Sequence, residues 1–90
     1  MKSLTTPRFR KLYAALPQKD QALAQKAFQL WLDDPTHPSL RFKEVDPRTR
    51  MYSVRISARL RALGIRDGDQ VTWVWIGDHD EYERLIKQTR

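Results

Sequence analysis

Leu60-Arg61-Ala62-Leu63-Gly64-Ile65-Arg66-Asp67-Gly68-Asp69-Gln70-Val71-Thr72-Trp73-Val74-Trp75-Ile76-Gly77 decides the fold class of this chain. Two runs rich in apolar, β-branched and aromatic residues flank Asp67-Gly68, a strong signal for a tight hairpin. Leu60–Arg66 and Gln70–Gly77 are therefore adjacent antiparallel strands. Upstream, Met51 to Ser57 alternates as a strand. Leu40-Arg41-Phe42-Lys43-Glu44-Val45 reads as another, with a turn at Asp46-Pro47-Arg48. A short extra strand at Ser3–Thr5 has weaker support.

Before residue 40 the period is helical. Thr6-Pro7 marks a helix start, and Phe9, Leu12, Tyr13 and Leu16 fall on one face. Pro17 restarts the chain. Gln18 to Asp33 is rich in helix formers, with Leu23, Ala27, Leu30 and Trp31 on one face, and Asp34-Pro35-Thr36-His37-Pro38 ends it. After the last strand, Asp78 suits an N-cap with Glu81 three residues on, and Tyr82, Leu85 and Ile86 complete a short helix. The expected class is α+β: two N-terminal helices packed on a four-stranded antiparallel sheet, then a C-terminal helix.

Strand alternation assigns faces. Tyr52, Val54 and Ile56 point toward the helices, and Met51, Ser53, Arg55 and Ser57 away from them. Trp73 and Trp75 oppose Val74 and Ile76, and either set can face the core. Arg59 and Arg61 share a face with Leu63 and Ile65. Either a bulge flips the register after Arg61, or the C-terminal helix covers the far end of that face; the second is preferred, because Leu85 and Ile86 need a partner.

Ninety residues suit one domain, 1–90, with a small core. There is no cysteine, which removes disulfides and thiolate metal sites and is compatible with a reducing cytoplasm. The N-terminus lacks the apolar core of a signal peptide, and no apolar run approaches a membrane span. The formal charge is +6, and all of it lies between Arg41 and Arg66. That stretch holds eight basic residues and two acids, whereas the remaining 64 residues hold nine of each. An evenly solvated sheet face would mix signs. A one-sided arginine face is suited to phosphate.

His79 follows the end of the last strand, where an imidazole is well placed to carry protons. Its alternative is an exposed first-turn histidine without a task. His37 lies in a turn and reads as a packing or capping side chain. The two are too far apart in sequence to form a local metal-ligand spacing. No nucleophile elbow or Gly-rich phosphate loop is present.

Four stretches resemble the RelE/ParE superfamily of toxins from bacterial type II toxin–antitoxin systems: His37-Pro38-Ser39-Leu40-Arg41-Phe42-Lys43, Tyr52-Ser53-Val54-Arg55-Ile56-Ser57, Leu60-Arg61-Ala62-Leu63-Gly64, and Trp73-Val74-Trp75-Ile76-Gly77-Asp78-His79-Asp80-Glu81-Tyr82. The resemblance implies a cytoplasmic toxin with a cognate antitoxin as partner, needing neither membrane nor cofactor. Members similar to RelE cut mRNA on the ribosome without a metal, the RNA 2′-hydroxyl attacking the adjacent phosphate. On that branch Arg61, His79 and Tyr82 are the expected catalytic residues. Arg61 would stabilise the phosphorane-like charge, His79 would act as acid or base, and Tyr82 would stack on a base or orient His79. Arg41, Lys43, Arg55 and Arg59 would hold RNA. On the ParE branch the same scaffold inhibits DNA gyrase and needs no histidine, and some members of the fold have no toxicity. The segment after His79 is longer and more acidic than in compact nuclease members.

Overall fold

The computed structural model describes residues 1–89, with side chains to residue 88. The elements run β1 (Lys2–Thr5), α1 (Pro7–Ala14), α2 (Gln18–Asp33), a 3₁₀ turn (Pro38–Leu40), β2 (Lys43–Asp46), β3 (Met51–Arg55), β4 (Leu60–Asp67), β5 (Gln70–Asp78) and α3 (His79–Thr89). The sheet order is β1-β5-β4-β3-β2. It has five strands, not four, and is not wholly antiparallel, because β1 pairs parallel to β5. All four residues of β1 are exposed, so it carries no amphipathic signature. Side chains and backbone tie it down: Trp73 Nε1 donates to Ser3 Oγ at 3.0 Å, and the Lys2 amide donates to the Asp69 carbonyl at 2.7 Å.

Local chemistry sets the element ends. Thr6 Oγ1 accepts the Phe9 amide at 3.1 Å, which caps α1 with Pro7 in its first turn. Asp78 Oδ1 accepts the Glu81 amide at 2.9 Å and caps α3. The β4–β5 loop is Gly68-Asp69, and only the glycine takes positive φ, at 62°; type II′ hairpins need glycine in that first position. Residues 40–42 are not strand. Pro38 starts a 3₁₀ turn, His37 Nδ1 accepts the Ser39 amide at 3.2 Å, and Arg41 adopts the left-handed conformation, so pairing begins only at Lys43.

The sheet is covered on both faces. On one, Phe9 of α1 and Ala24, Ala27 and Trp31 of α2 pack on Val54, Ala62, Val71, Trp73 and Ile76. On the other, Tyr82, Leu85 and Ile86 of α3 pack with Leu63, Trp75, Val45 and Met51. Leu85 and Ile86 therefore do cover the end of the face that Arg61 and Leu63 share. The bulge lies in β5: Leu63 pairs with Trp75 and Gly64 with Trp73, leaving Val74 without a partner opposite. One extra residue reverses the alternation, so Trp73 and Ile76 face α1 and α2, while Trp75 faces α3. Neither pairing expected from simple alternation holds.

Candidate functional site

The face shared by β3, β4 and α3 carries the basic side chains. Met51, Ser53 and Arg55 of β3 lie opposite Ile65, Leu63 and Arg61 of β4. Arg55 and Arg61 are thus direct cross-strand partners, a like-charge pair that destabilises a sheet. Together with Arg41, Lys43, Ser53, His79, Tyr82 and Glu83 they line a polar cavity of about 170 Å³.

Arg61 is the fixed point of this cavity. Its Nη1 donates to the Ser57 carbonyl at 2.5 Å and the Leu60 carbonyl at 3.0 Å, so the β3–β4 turn holds the guanidinium. The turn is itself pinned, because Ser57 Oγ accepts the Arg59 and Leu60 amides at 3.3 and 3.2 Å. Burial and the neighbouring Arg55 and Arg41 charges push the Arg61 guanidinium below its ordinary range, with Tyr82 and Glu83 opposing them. An arginine still stays protonated. The fold thus places a cation where desolvation and repulsion disfavour it, an arrangement that an anionic ligand would relieve.

Tyr82 forms the floor. It is 6 % exposed, and its hydroxyl donates to Ser53 Oγ at 3.2 Å. The Arg61 guanidinium carbon lies 6.0 Å from the Tyr82 ring centroid, and the His79 ring lies 6.1 Å from it. A ring this buried cannot stack on a base; it supports both neighbours. His79 stands at the rim as the first residue of α3, its side chain 42 % exposed. The backbone places it, through the His79 amide donating to the Arg59 carbonyl at 2.7 Å. Its Nε2 lies 3.3 Å from Glu83 Oε1, and its Nδ1 lies 3.9 Å from Asp80 Oδ1.

Six of the seven expected site residues therefore meet: Arg41, Lys43, Arg55, Arg61, His79 and Tyr82. Arg59 does not. The strand ends at Arg55 and restarts at Leu60, which puts Arg59 in the turn and its side chain in a different cavity, behind His79. Ser53 and Glu83 belong to the site and were missed. Strand alternation places Ser53 on this face, and Glu83 is one helical turn from His79. No sequence signal gave either a task.

The model of the ParE-like toxin domain matches residues 21–84, most of the chain and all the site residues. The chain belongs to the ParE-like toxin domain family. Solved structures of low identity share the fold of this ParE-like toxin. The RelB–RelE antitoxin–toxin complex of Methanococcus jannaschii superposes with a TM-score of 0.71 at 12 % identity, over 91 % of this chain and 96 % of that one. The RelBE2 toxin–antitoxin complex of Mycobacterium tuberculosis gives 0.67 at 18 % identity, over 87 % and 96 %. The YoeB/ParE toxin of Agrobacterium tumefaciens gives 0.66 at 14 % identity, over 88 % and 99 %. No curated protein matches this toxin by sequence. Among the described residues, no helix is long and apolar enough to cross a membrane.

Proposed function

We propose that this toxin is a metal-independent, ribosome-dependent mRNA endoribonuclease that inhibits translation in the cytoplasm. The reading rests on one observation: Arg55 stands directly opposite Arg61 in the sheet, and both share a cavity with His79. Four cations, Arg41, Lys43, Arg55 and Arg61, converge there on one small polar space, next to an imidazole, the side chain best suited to proton transfer.

In the proposed reaction the 2′-hydroxyl oxygen attacks the adjacent phosphorus. A new P–O2′ bond forms, and the P–O5′ bond breaks. The products are a 2′,3′-cyclic phosphate and a 5′-hydroxyl. One proton leaves O2′ and one arrives at O5′. His79 is assigned one of these transfers. Arg61 is assigned the non-bridging oxygens, where charge builds in the transition state and a pre-placed cation stabilises it most. Its planar fork matches two oxygens. Arg41, Lys43 and Arg55 hold the flanking backbone, and Tyr82 positions Arg61 and His79 from below.

The two neighbours solved with antitoxins, from M. jannaschii and M. tuberculosis, support a cognate antitoxin as partner. Two measurements test the nuclease reading. RNA from cells expressing the toxin should acquire new 5′-hydroxyl and 2′,3′-cyclic phosphate ends, and His79→Gln should remove them. New 5′-phosphate ends would refute the chemistry. Affinity for a single-stranded RNA should fall with salt at a log–log slope of about −3, as four phosphate contacts require. A slope near zero would remove the cavity's cations from binding.

The ParE-like character of the matching family model favours a second reading, a gyrase-directed inhibitor that docks through the same basic surface. That reading predicts DNA damage with intact mRNA, and growth arrest that survives His79→Gln.

A further inference from the structure

A second cavity adjoins the phosphate pocket. It measures about 620 Å³ and is lined by Lys19, Asp20 and Leu23 of α2, by residues 57–60 of the β3–β4 turn, and by Asp78, His79 and Asp80 at the start of α3. His79 lines both cavities. They also share a wall, since the turn that holds the Arg61 guanidinium carries Ser57, Ala58, Arg59 and Leu60 into the second space.

Size separates their tasks. Sites for small organic ligands span roughly 300–1,000 Å³. At about 170 Å³ the basic pocket is below that range, whereas the second cavity is within it. The lining differs as well. Leu23, 42 % exposed on the flank of α2, and the exposed Ala58 supply apolar surface, with the buried Leu60 beneath them. Asp20, Asp78 and the exposed Asp80 bring carboxylates to the same walls, and ionised carboxylates only accept hydrogen bonds. Asp78 already uses Oδ1 to cap α3. Asp20, half-buried in the first turn of α2, is the better-placed acceptor. A small apolar patch beside a carboxylate acceptor suits a nucleobase, read on its hydrogen-bonding edge as unpaired RNA bases are. Lys19 and Arg59 at the rim supply cations for the next phosphate.

We propose that this cavity is a base subsite of the RNA strand. The scissile phosphate lies in the basic pocket, the strand passes His79, and the neighbouring base enters the cavity between α2 and the β3–β4 turn. Because its polar edge offers carboxylates, the subsite favours a base with an exocyclic amino donor and disfavours uracil. The inference builds on the nuclease reading but makes a binding claim of its own.

The test titrates the methyl-labelled toxin with 2′-O-methyl RNA tetranucleotides, which lack the attacking hydroxyl, varying each position through the four bases. Expected are shifts of the Leu23, Ala58 and Leu60 methyls, with uracil binding about tenfold more weakly at one position, as one good base-edge contact is worth. Asp20→Asn should remove that preference. Leu23→Ala should weaken every tetranucleotide about fivefold, the scale of losing one buried methylene group. Methyl shifts confined to Leu63 and Met51, or a Kd indifferent to base at every position, would overturn the subsite. If tetranucleotides bind as described while cells show no RNA cleavage, the nuclease reading fails and the subsite stands. If cleavage occurs with no base preference and Asp20→Asn changes nothing, the subsite alone fails.

Discussion

Arg61→Ala is expected to lower RNA cleavage by about 10²–10³-fold, the usual cost of removing one pre-placed group that stabilises transition-state charge, while leaving the fold as stable as before. The two halves of this expectation have one origin. Arg61 is pressed by burial and by Arg55 directly opposite, so the folded state bears a strain that alanine relieves. Against this, alanine loses two hydrogen bonds to the Ser57 and Leu60 carbonyls, each worth about 1 kcal/mol net. The balance should lie within about 1 kcal/mol, readable as a urea midpoint that moves by less than about 1 M. Arg61→Lys keeps the charge but loses the planar fork that matches two phosphate oxygens, so it should recover only a small part of the activity. A cleavage rate that survives Arg61→Ala would separate the basic pocket from the chemistry.

Trp73→Ala is expected to destabilise the fold by about 3–5 kcal/mol, a large part of what a domain of this size possesses. Trp73 is buried at the centre of the larger core. Its ring meets Phe28 edge-on with centroids 5.0 Å apart and Trp31 at 5.3 Å. The cavity left by alanine would therefore open between both helices and the sheet. Its Nε1 also donates to Ser3, so the same change removes the side-chain bond that supplements the backbone ladder between β1 and β5. Gly64 reports the same packing from the other side. A Cβ at residue 64 would collide with Val71 and with the Trp73 ring, so Gly64→Ala is disfavoured by overpacking rather than by backbone conformation. Chemical denaturation of the two variants checks both statements, and a Trp73→Ala midpoint near that of the parent chain would contradict the core as described.

The sequence was most legible where a residue acts on the backbone next to it. Thr6-Pro7, Pro17, Asp78 and the glycine of the β4–β5 hairpin mark element ends by local chemistry, and the structure places those ends within a residue or two. It was least legible where one residue shifts a register. Nothing in Thr72-Trp73-Val74-Trp75 marks a bulge, since no glycine or proline interrupts the run, yet the unpaired Val74 sends the two tryptophans to opposite faces. Arg41 in the left-handed conformation was equally unsignalled, because arginine has no preference for it. Within the site, Arg55, Arg61 and His79 followed from alternation and position. Arg59 did not, because alternation was extended through residues 56–59, which form the turn. Tyr82 was read as a side chain that stacks on a base or orients His79. Its amphipathic place on α3 fits equally the buried floor it turns out to be.

Sequencing of RNA 5′ ends after induction tests the central claim most directly, with the unaltered toxin beside Arg61→Ala and His79→Gln at matched protein levels. The account predicts new 5′-hydroxyl ends within translated reading frames for the unaltered chain, and their near-complete loss in both variants. Growth arrest in all three strains with intact mRNA would contradict it and assign the basic pocket to a protein target instead.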